Sequence, residues 1–155
     1  MTTAQKDQII KILATGFGAG LSPVAPGTAG TFVGVLICFL CYPLAWPFRL
    51  LFVIAISAVS IYVAGQAETL YGKTDDQRIV IDEIAGLQVT MLPVAITGLH
   101  LCLAFVLFRI FDIWKPFPLD RLQKLPGGWG VVVDDLGAGV YGGFILFLLT
   151  LTGIL

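Results

Sequence analysis

Residues 84–108 of this 155-residue chain read IAGLQVTMLPVAITGLHLCLAFVLF, and the path of this segment decides the fold. The segment is long enough to cross a bilayer once, because about 20 helical residues span ~30 Å of hydrocarbon. However, Pro93 follows only ten residues after Glu83, and ten helical residues reach only ~15 Å. Two paths are therefore open. The segment is either one crossing with an internal proline, or part of a hairpin with helices at 83–92 and 99–114 and a break at PVAITG.

The composition is that of a membrane protein. Hydrophobic residues make up 57% of the chain and charged residues 12%, which is about half the charged fraction of a soluble domain. The net charge of −1 indicates no nucleic-acid partner. The chain has four apolar regions, at 30–46, 48–67, 84–108 and 136–155. We predict a single membrane-embedded domain, 1–155, in which residues 1–15 form an interfacial segment, because their apolar run is too short for a secretory signal.

The distribution of charge favours the hairpin. Most polar residues between the apolar regions fall in 68–83 and 109–135. Four simple crossings would put these segments on opposite faces, against the tendency of basic residues to share the cytoplasmic side. A hairpin over 83–114 puts both on one face, with eight of the nine basic residues; Arg49 is the exception. We therefore predict an all-α, polytopic bundle of four to five membrane helices, with a Pro/Gly-broken hairpin and its active site on the cytoplasmic face.

Two pairs of adjacent acids, Asp82–Glu83 and Asp134–Asp135, lie at apolar boundaries. Ionisable residues at membrane depth cost about 3 kcal/mol each. We expect each pair to start a helix, where N-capping explains one acid but not two adjacent acids. Mg²⁺ prefers carboxylate oxygens and often bridges to a substrate phosphate. We therefore predict that all four acids ligate Mg²⁺.

A set of basic and acidic residues complements these pairs. Arg109, Asp112 and Lys115 recur at intervals of three, which places them on one face of a helix end. Arg109 can bind an anion through two N–H groups, and Lys115 supplies a point charge. Asp112 can orient Arg109, ligate a metal or act as a base. A ladder of interfacial ion pairs is the alternative interpretation.

The loop GAGLSPVAPGTAGT, residues 18–31, offers the hydroxyls of Ser22 and Thr28 beside backbone amides near a helix start. Such a place can hold a phosphate, although a simple turn is the alternative. A metal, cations and an anion site at a lipid-facing surface together predict phosphate chemistry on a lipid headgroup. The predicted catalytic residues are Asp82, Glu83, Asp112, Asp134 and Asp135. The predicted substrate-binding residues are Arg109, Lys115, Ser22 and Thr28.

Other functions lack their residues. The chain has no CxxxxxR or DxDx[TV] phosphatase motif, and the predicted topology places its only histidine, His100, on the opposite face. The long glycine-and-aspartate signature of a CDP-alcohol phosphotransferase is absent. A membrane transporter that moves cations or protons through the acidic cluster is the remaining alternative. It is weaker because no acid in the middle of an apolar run continues a path across the membrane.

Two further patterns predict packing rather than chemistry. Cys38 and Cys41 have a CxxC spacing, but they lie inside an apolar run, where thiols pack as small hydrophobic groups. The GxxxG spacings at 30–34 and 139–143 are typical of helices that approach closely.

Four ordered motifs resemble the phosphatidylglycerophosphatase A family. They are GLSPVAPGTAGT at 20–31, DEIAG at 82–86, RIFDIWKPFP at 109–118 and GGWGVVVDDLGAG at 127–139. The resemblance covers about residues 16–143. It implies Mg²⁺-dependent hydrolysis of the phosphomonoester of phosphatidylglycerophosphate to phosphatidylglycerol and phosphate. It also implies a location in the bacterial inner membrane, with the lipid bilayer and a phospholipid substrate as partners; the sequence indicates no oligomeric state.

Overall fold

A computed structural model describes residues 2–41 and 43–154 of the chain. Within these residues the chain forms seven α-helices and no β-strand, which confirms the all-α prediction. The helices are α1 (Thr3–Ala14), α2 (Pro26–Leu40), α3 (Trp46–Tyr71), α4 (Ile81–Met91), α5 (Gly98–Trp114), α6 (Leu119–Leu122) and α7 (Gly128–Leu151). A 3₁₀ turn, Ala19–Leu21, lies between α1 and α2.

Two of these helices, α3 and α7, are long and apolar enough to cross a membrane. With 26 and 24 residues, they reach more than ~30 Å at 1.5 Å per residue. Large apolar side chains on the outer face of α3, such as Leu51 and Ile54, are exposed. Exposed apolar surface of this extent is typical of a face that contacts lipid.

The segment that decides the fold is broken, as the hairpin requires. Helix α4 ends at Met91 and α5 begins at Gly98, so Pro93 lies in the break. Arg109 near the end of α5 lies 3.8 Å from the carboxylate of Glu83 at the start of α4. The chain therefore returns to the end of the bundle at which α4 begins, and the alternative of one crossing with an internal proline is wrong.

Close helix packing puts α4 at the centre of the bundle. It contacts α2, α3, α5 and α7. Glycines make the contact with α7 short: a Cβ on Gly86 would lie 2.8 Å from the carbonyl oxygen of Asp135, and Gly143 lies against the backbone of Thr90. Gly34 of α2 lies against Leu87 in the same way. The predicted packing role of the GxxxG spacings is confirmed, and the backbones of α4 and α7 come together beside their acidic residues.

The cysteine pattern also serves packing. The Cys38 side chain is buried, and its Sγ donates a hydrogen bond to Oε1 of Gln88 at 3.0 Å. Cys41 is half-buried beside the same core. All three cysteines of the chain are free thiols.

Arg49, which lies in neither polar segment and not in α1, holds the tip of the hairpin. Its guanidinium donates to the carbonyl oxygens of Met91 and Val94, at 2.5 and 3.1 Å. The indole of Trp46 donates to the carbonyl of Leu92 at 3.2 Å. The last carbonyls of a helix have no hydrogen-bond partner within the helix. The first turn of α3 therefore supplies donors for carbonyls at the C-terminal end of α4.

Helix α7 begins earlier than its acidic pair. Its first residue is Gly128, so Asp134 and Asp135 lie in its second turn. The prediction that this pair starts a helix is therefore wrong. The apolar run before the acids continues the helical pattern, and Gly127, whose φ is 59°, marks the point where the backbone turns into the helix. N-capping consequently cannot explain either of these two acids.

Candidate active site

A cavity of about 660 Å³ opens at the end of the bundle where α4 and α7 bring their acids together. Loops contribute to its wall beside the first turn of α4 and the last turn of α5. Six of the predicted site residues line it, namely Asp82, Glu83, Arg109, Asp112, Lys115 and Asp135. The structure therefore gathers residues from three distant motifs into one space.

Three carboxylates form the centre of this cavity. Each of Asp82, Glu83 and Asp135 offers one oxygen, and these oxygens all lie within 4.8 Å of one another. Asp82 and Asp135 are buried and Glu83 is nearly so. Each has a buried oxygen with no hydrogen-bond partner among the described residues. Leaving such groups unpaired is costly, and for charged groups especially so. The trio has the donor set that a hard divalent cation requires.

Helix capping does not account for these acids. The N-cap of α4 is Val80, and neither Asp82 nor Glu83 makes a side-chain cap hydrogen bond there. Both acids still lie near the helix N-terminus, where the helix dipole stabilises negative charge. That effect provides no hydrogen-bond partner for their unpaired oxygens.

Arg109 lies between the acidic trio and a fourth carboxylate. Its Nη1 is 2.5 Å from Oδ2 of Asp112 and 3.8 Å from Oε1 of Glu83. Its Nε is buried and has no partner in the described part of the chain. Asp112 therefore holds one edge of the guanidinium in place. The remaining N–H groups stay available for an anion in the cavity.

Lys115 does not extend the ladder of interfacial ion pairs that was the alternative interpretation. It follows the last residue of α5 with a φ of 44°, the left-handed conformation that ends the helix. Its ammonium reaches across to α7 and forms an ion pair with Asp134, whose side chain is 2% exposed. Asp134 is thus paired with a cation and is not one of the three clustered carboxylates, although its Oδ1 has no hydrogen-bond partner among the described residues. Consecutive helical residues point about 100° apart, which is why Asp134 and Asp135 serve different partners.

The first loop contributes backbone rather than hydroxyls. Pro23, Ala25 and Gly27 line the cavity, whereas Ser22 and Thr28 do not. The Ser22 hydroxyl donates instead to the carbonyl of Val24 at 2.8 Å, and Thr28 is exposed. A substrate-binding role for these two hydroxyls stays a prediction that the cavity geometry does not favour.

Gly27 marks the closest approach of this loop to the charged residues. A Cβ at that position would lie 3.1 Å from Nη1 of Arg109 and 3.3 Å from Cδ of Glu83. Only glycine at this position leaves the Arg109 guanidinium and the Glu83 carboxylate undisplaced.

Sequence reasoning missed one segment of the wall. Asp75, Gln77 and Ile79, in the loop before α4, also line the cavity. Asp75 accepts a hydrogen bond from Nε2 of Gln123 at 3.1 Å, and its N–H donates to Glu68 at 2.9 Å. The adjacent acids in TDDQR were the available signal, although adjacent acids in a polar loop are common. The Gln123 contact also puts the two polar segments at the same end of the molecule, as the charge distribution predicted.

An ion pair outside the membrane helices holds this loop. Arg78 donates to both carboxylate oxygens of Asp76, at 2.8 and 3.0 Å, and stacks on the ring of Tyr71. The hydrogen bonds from Arg78 lower the pKa of Asp76 to about 2. Asp76 is therefore ionised at neutral pH, and it fixes the stretch that carries Asp75 and Gln77 to the cavity.

The histidine lies at the other end of the bundle. Its ring nitrogens contact the hydroxyls of Thr97 and Thr150, at 2.9 and 3.2 Å. Thr150 belongs to the last turn of α7, whereas the acids of α7 lie near its start. His100 is thus remote from the cavity, as the predicted topology required.

Comparison with known proteins agrees with this site. A family model described as phosphatidylglycerophosphatase A matches residues 12–150. Phosphatidylglycerophosphatase A of Escherichia coli is 35% identical over 140 residues, covering 89% of this chain and 81% of that protein. The Haemophilus influenzae protein of the same description is 35% identical over 144 residues, covering 89% and 86%.

A relative with a different description is similar to the same extent. A Bacteroides thetaiotaomicron protein described as "Putative phosphatidylinositol-3-phosphatase" is 39% identical over 144 residues, covering 87% of this chain and 89% of that protein. No solved structure matches. The two long apolar helices and these similarities identify a membrane protein. Because the family model spans nearly the whole chain and every motif that lines the cavity, the chain belongs to the phosphatidylglycerophosphatase A family.

Proposed function

We propose that this chain hydrolyses the phosphomonoester of phosphatidylglycerophosphate to give phosphatidylglycerol and phosphate. The family and the E. coli and H. influenzae relatives support this reaction. The observation that carries it is the cavity itself, in which three carboxylates with orphaned oxygens face Arg109 and Lys115.

The charge of the site supports metal assistance. The carboxylates that line the cavity, namely Asp75, Asp112 and the acidic trio, supply five negative charges against two positive charges from Arg109 and Lys115, so the formal charge is −3. A phosphomonoester is itself an anion, and such a site would repel it. We propose that Mg²⁺ is held by Asp82, Glu83 and Asp135. When bound, Mg²⁺ would offset this charge, polarise the phosphoryl group and lower the pKa of a bound water.

The cationic side chains position the phosphoryl group. Arg109, fixed by Asp112, presents its free N–H groups to two phosphoryl oxygens. Lys115, held by Asp134, adds a point charge from the other side. Hydrolysis breaks the bond between phosphorus and the glycerol oxygen and forms one to the oxygen of water, and a proton passes from water to the glycerol oxygen. Positive groups around the phosphoryl oxygens stabilise the charge that develops during this transfer.

The location we propose is the bacterial inner membrane, with the cavity at its cytoplasmic face. Helices α2, α3 and α7 and the hairpin of α4 and α5 make up the four to five membrane helices. Six of the nine basic residues lie in the polar segments 68–83 and 109–135, Lys6 and Lys11 lie in α1, and Arg49 lies at the hairpin tip. The tendency of basic residues to stay in the cytoplasm supports this orientation.

The transporter alternative finds no support in the comparisons. All of the acids that line the cavity converge at one end of the bundle, and the far end offers His100 and two threonine hydroxyls. A path for cations needs polar groups at intervals across the hydrocarbon.

Phosphate release by the purified full-length chain in detergent tests the proposal. The protein is stripped with EDTA and assayed with phosphatidylglycerophosphate and with phosphatidylinositol 3-phosphate, each with and without added Mg²⁺. We expect release from phosphatidylglycerophosphate that depends on Mg²⁺. No release would overturn the proposed reaction, release without any divalent cation would overturn the metal assignment, and a tenfold preference for the inositol lipid would reassign the substrate.

A further inference from the structure

The wall of the cavity differs in chemistry from one side to the other. Asp75 and Gln77 give it a polar, exposed rim on the side of the loop before α4. On another side the lining side chains are apolar and exposed, namely Pro23 and Ala25 of the first loop and Ile113 of α5. An amphipathic opening of this kind matches an amphipathic ligand.

Ile113 is the end of a longer apolar stripe. Its side chain is 73% exposed although it also lines a highly charged cavity. Four residues that precede Ile113 on α5 at helical spacing are also exposed, and none is charged: Leu99, Cys102, Val106 and Ile110. The spacing of three and four residues puts them on one face of α5. This face therefore runs from the far end of the hairpin directly to the cavity.

Helix α2 has a similar apolar face, which starts at the first loop on the other side of the cavity opening from Ile113. Helix α2 contacts α5 and begins at Pro26, directly after the apolar loop. Val24 in that loop is 77% exposed. The exposed residues of α2 are again uncharged: Thr28, Phe32, Leu36, Phe39 and Leu40. No ion pair of the described residues lies along either face.

We propose that the phospholipid enters the cavity sideways from the bilayer, through a portal between residues 23–27 and Ile113. Its acyl chains then lie along the exposed faces of α2 and α5 while its phosphate meets Arg109 and Lys115. The polar rim at Asp75 and Gln77 admits water and releases phosphate. The proposal rests on the proposed function, because it assumes that the ligand is a phospholipid with a terminal phosphate. We assign the diacylglycerol part of the lipid to the portal, because both sides of the portal are apolar and each continues into an exposed apolar helix face.

Kinetics with substrates of two chain lengths test the portal. Ile113→Asn places an amide at the lip, and Ile9→Asn is the matched control, since Ile9 is an exposed isoleucine of α1 outside the cavity. The substrates are long-chain phosphatidylglycerophosphate in mixed micelles and its dihexanoyl form as soluble monomers. We expect Ile113→Asn to raise KM for the long-chain lipid roughly tenfold, as for a lost apolar contact, with a much smaller change for the dihexanoyl form. Ile9→Asn should change neither.

Each other outcome overturns the portal. Equal changes for both substrates would make Ile113 part of the headgroup site only. Equal effects of the two variants would mean a general response to bulk lipid. If wild type releases no phosphate from either substrate, the proposed function fails first, so the two failures are distinguishable.

A crosslinking experiment covers the case in which Ile113→Asn does not fold. A benzophenone amino acid replaces Ile113 or, in the control, Ile9. The protein is placed in vesicles containing a radiolabelled phosphonate analogue of phosphatidylglycerophosphate or labelled phosphatidylcholine. We expect position 113 to capture the phosphonate lipid at least fivefold over phosphatidylcholine, and position 9 to capture both equally. Equal capture at both positions would exclude the portal.

Discussion

Asp134 and Asp135 are adjacent in the chain but serve different partners. Asp135 joins the acidic trio, whereas Asp134 pairs with Lys115. Adjacency raises the cost of burying both charges, and the ion pair with Lys115 offsets part of that cost for Asp134. Each of the two acids keeps one buried oxygen without a hydrogen-bond partner among the described residues, and that of Asp135 lies beside two more acids. The two acids therefore have different roles: Asp134 holds Lys115, and we propose that Asp135 ligates the metal.

Neutralising the trio should remove metal-dependent turnover. Asp135→Asn and Asp82→Asn keep size and hydrogen-bonding capacity but remove the charge that a hard cation requires. We expect a loss of at least about 100-fold in kcat/KM in protein that still inserts and folds, measured as phosphate release at several Mg²⁺ concentrations. Asp120→Asn, at an exposed acid outside the cavity, is the control. Normal turnover with an unchanged Mg²⁺ requirement in both variants would refute the metal site.

Arg109 should not tolerate lysine. The fork of its guanidinium contacts Asp112 and Glu83 and still has free N–H groups, and an ammonium cannot reproduce that geometry. We expect Arg109→Lys to raise KM about tenfold or more although the charge is kept. Arg121→Lys, at an exposed arginine outside the cavity, should be normal. Full turnover at low substrate in Arg109→Lys would reassign Arg109 to a structural ion pair.

Substitution of Gly27 should reduce activity about as much as substitution of a charged residue of the site. A methyl group there would push against Arg109 and Glu83, and small displacements of reacting groups are expensive. We expect Gly27→Ala to reduce kcat/KM about tenfold. Gly98→Ala is the matched control, because a Cβ at that position meets nothing within 4 Å. Equal activities of the two variants would show that the first loop can move without affecting the site.

Among the elements, α4 has only 11 residues, about half of what a membrane crossing needs, and side chains of α3 cap its C-terminal end. Its last carbonyls accept hydrogen bonds from Arg49 and Trp46 of α3. Unsatisfied backbone groups cost several kcal/mol in hydrocarbon, so the break after Met91 depends on donors from outside the hairpin.

Removing the charged donor should loosen the hairpin. We expect Arg49→Gln to lower the free energy of unfolding by about 1–3 kcal/mol, the range for hydrogen bonds to charged groups. Arg49→Lys should fall between the variant and wild type, since one ammonium cannot span both carbonyls as a guanidinium does. Denaturant titration in detergent measures this, with Arg121→Gln as the control. A stability equal to that of wild type in Arg49→Gln would mean that the tip is held by packing alone.

At the scale of the whole molecule, polar and basic residues collect at the cavity end while the hairpin tip lies at the other. The hydrogen bond between Gln123 and Asp75 joins the two polar segments directly. Orientation in a membrane follows from this asymmetry, because basic residues favour the cytoplasmic side.

Accessibility labelling should distinguish the cavity end of the bundle from the hairpin tip. Single cysteines replace the exposed residues Thr74, Arg121 and Ala95 in a cysteine-free background. We expect positions 74 and 121 to react from the cytoplasmic side, and position 95, in the break of the hairpin, not to react from that side. Vesicles of both orientations and a membrane-impermeant reagent make the measurement. Labelling of 74 and 121 from opposite sides would be incompatible with a hairpin in the membrane.

The all-α fold class, the break near Pro93 and six of the residues that line the cavity could be predicted from the sequence alone. These features follow from local rules: apolar runs of membrane length, a proline where a helix cannot continue, and charges too costly to leave apart in an apolar chain. The return of the chain after the break was also predictable, since charge on both sides of 84–108 had to reach one face.

Only the tertiary structure decided how those residues divide the work. It set the start of α7 before its acids, gave Asp134 to Lys115, and brought the loop at Asp75 to the rim of the cavity. Which way a side chain points depends on the rotation of its helix about its own axis. That rotation is fixed by contacts between distant segments, such as Gly86 of α4 against the backbone of α7. No local pattern in the sequence contains it.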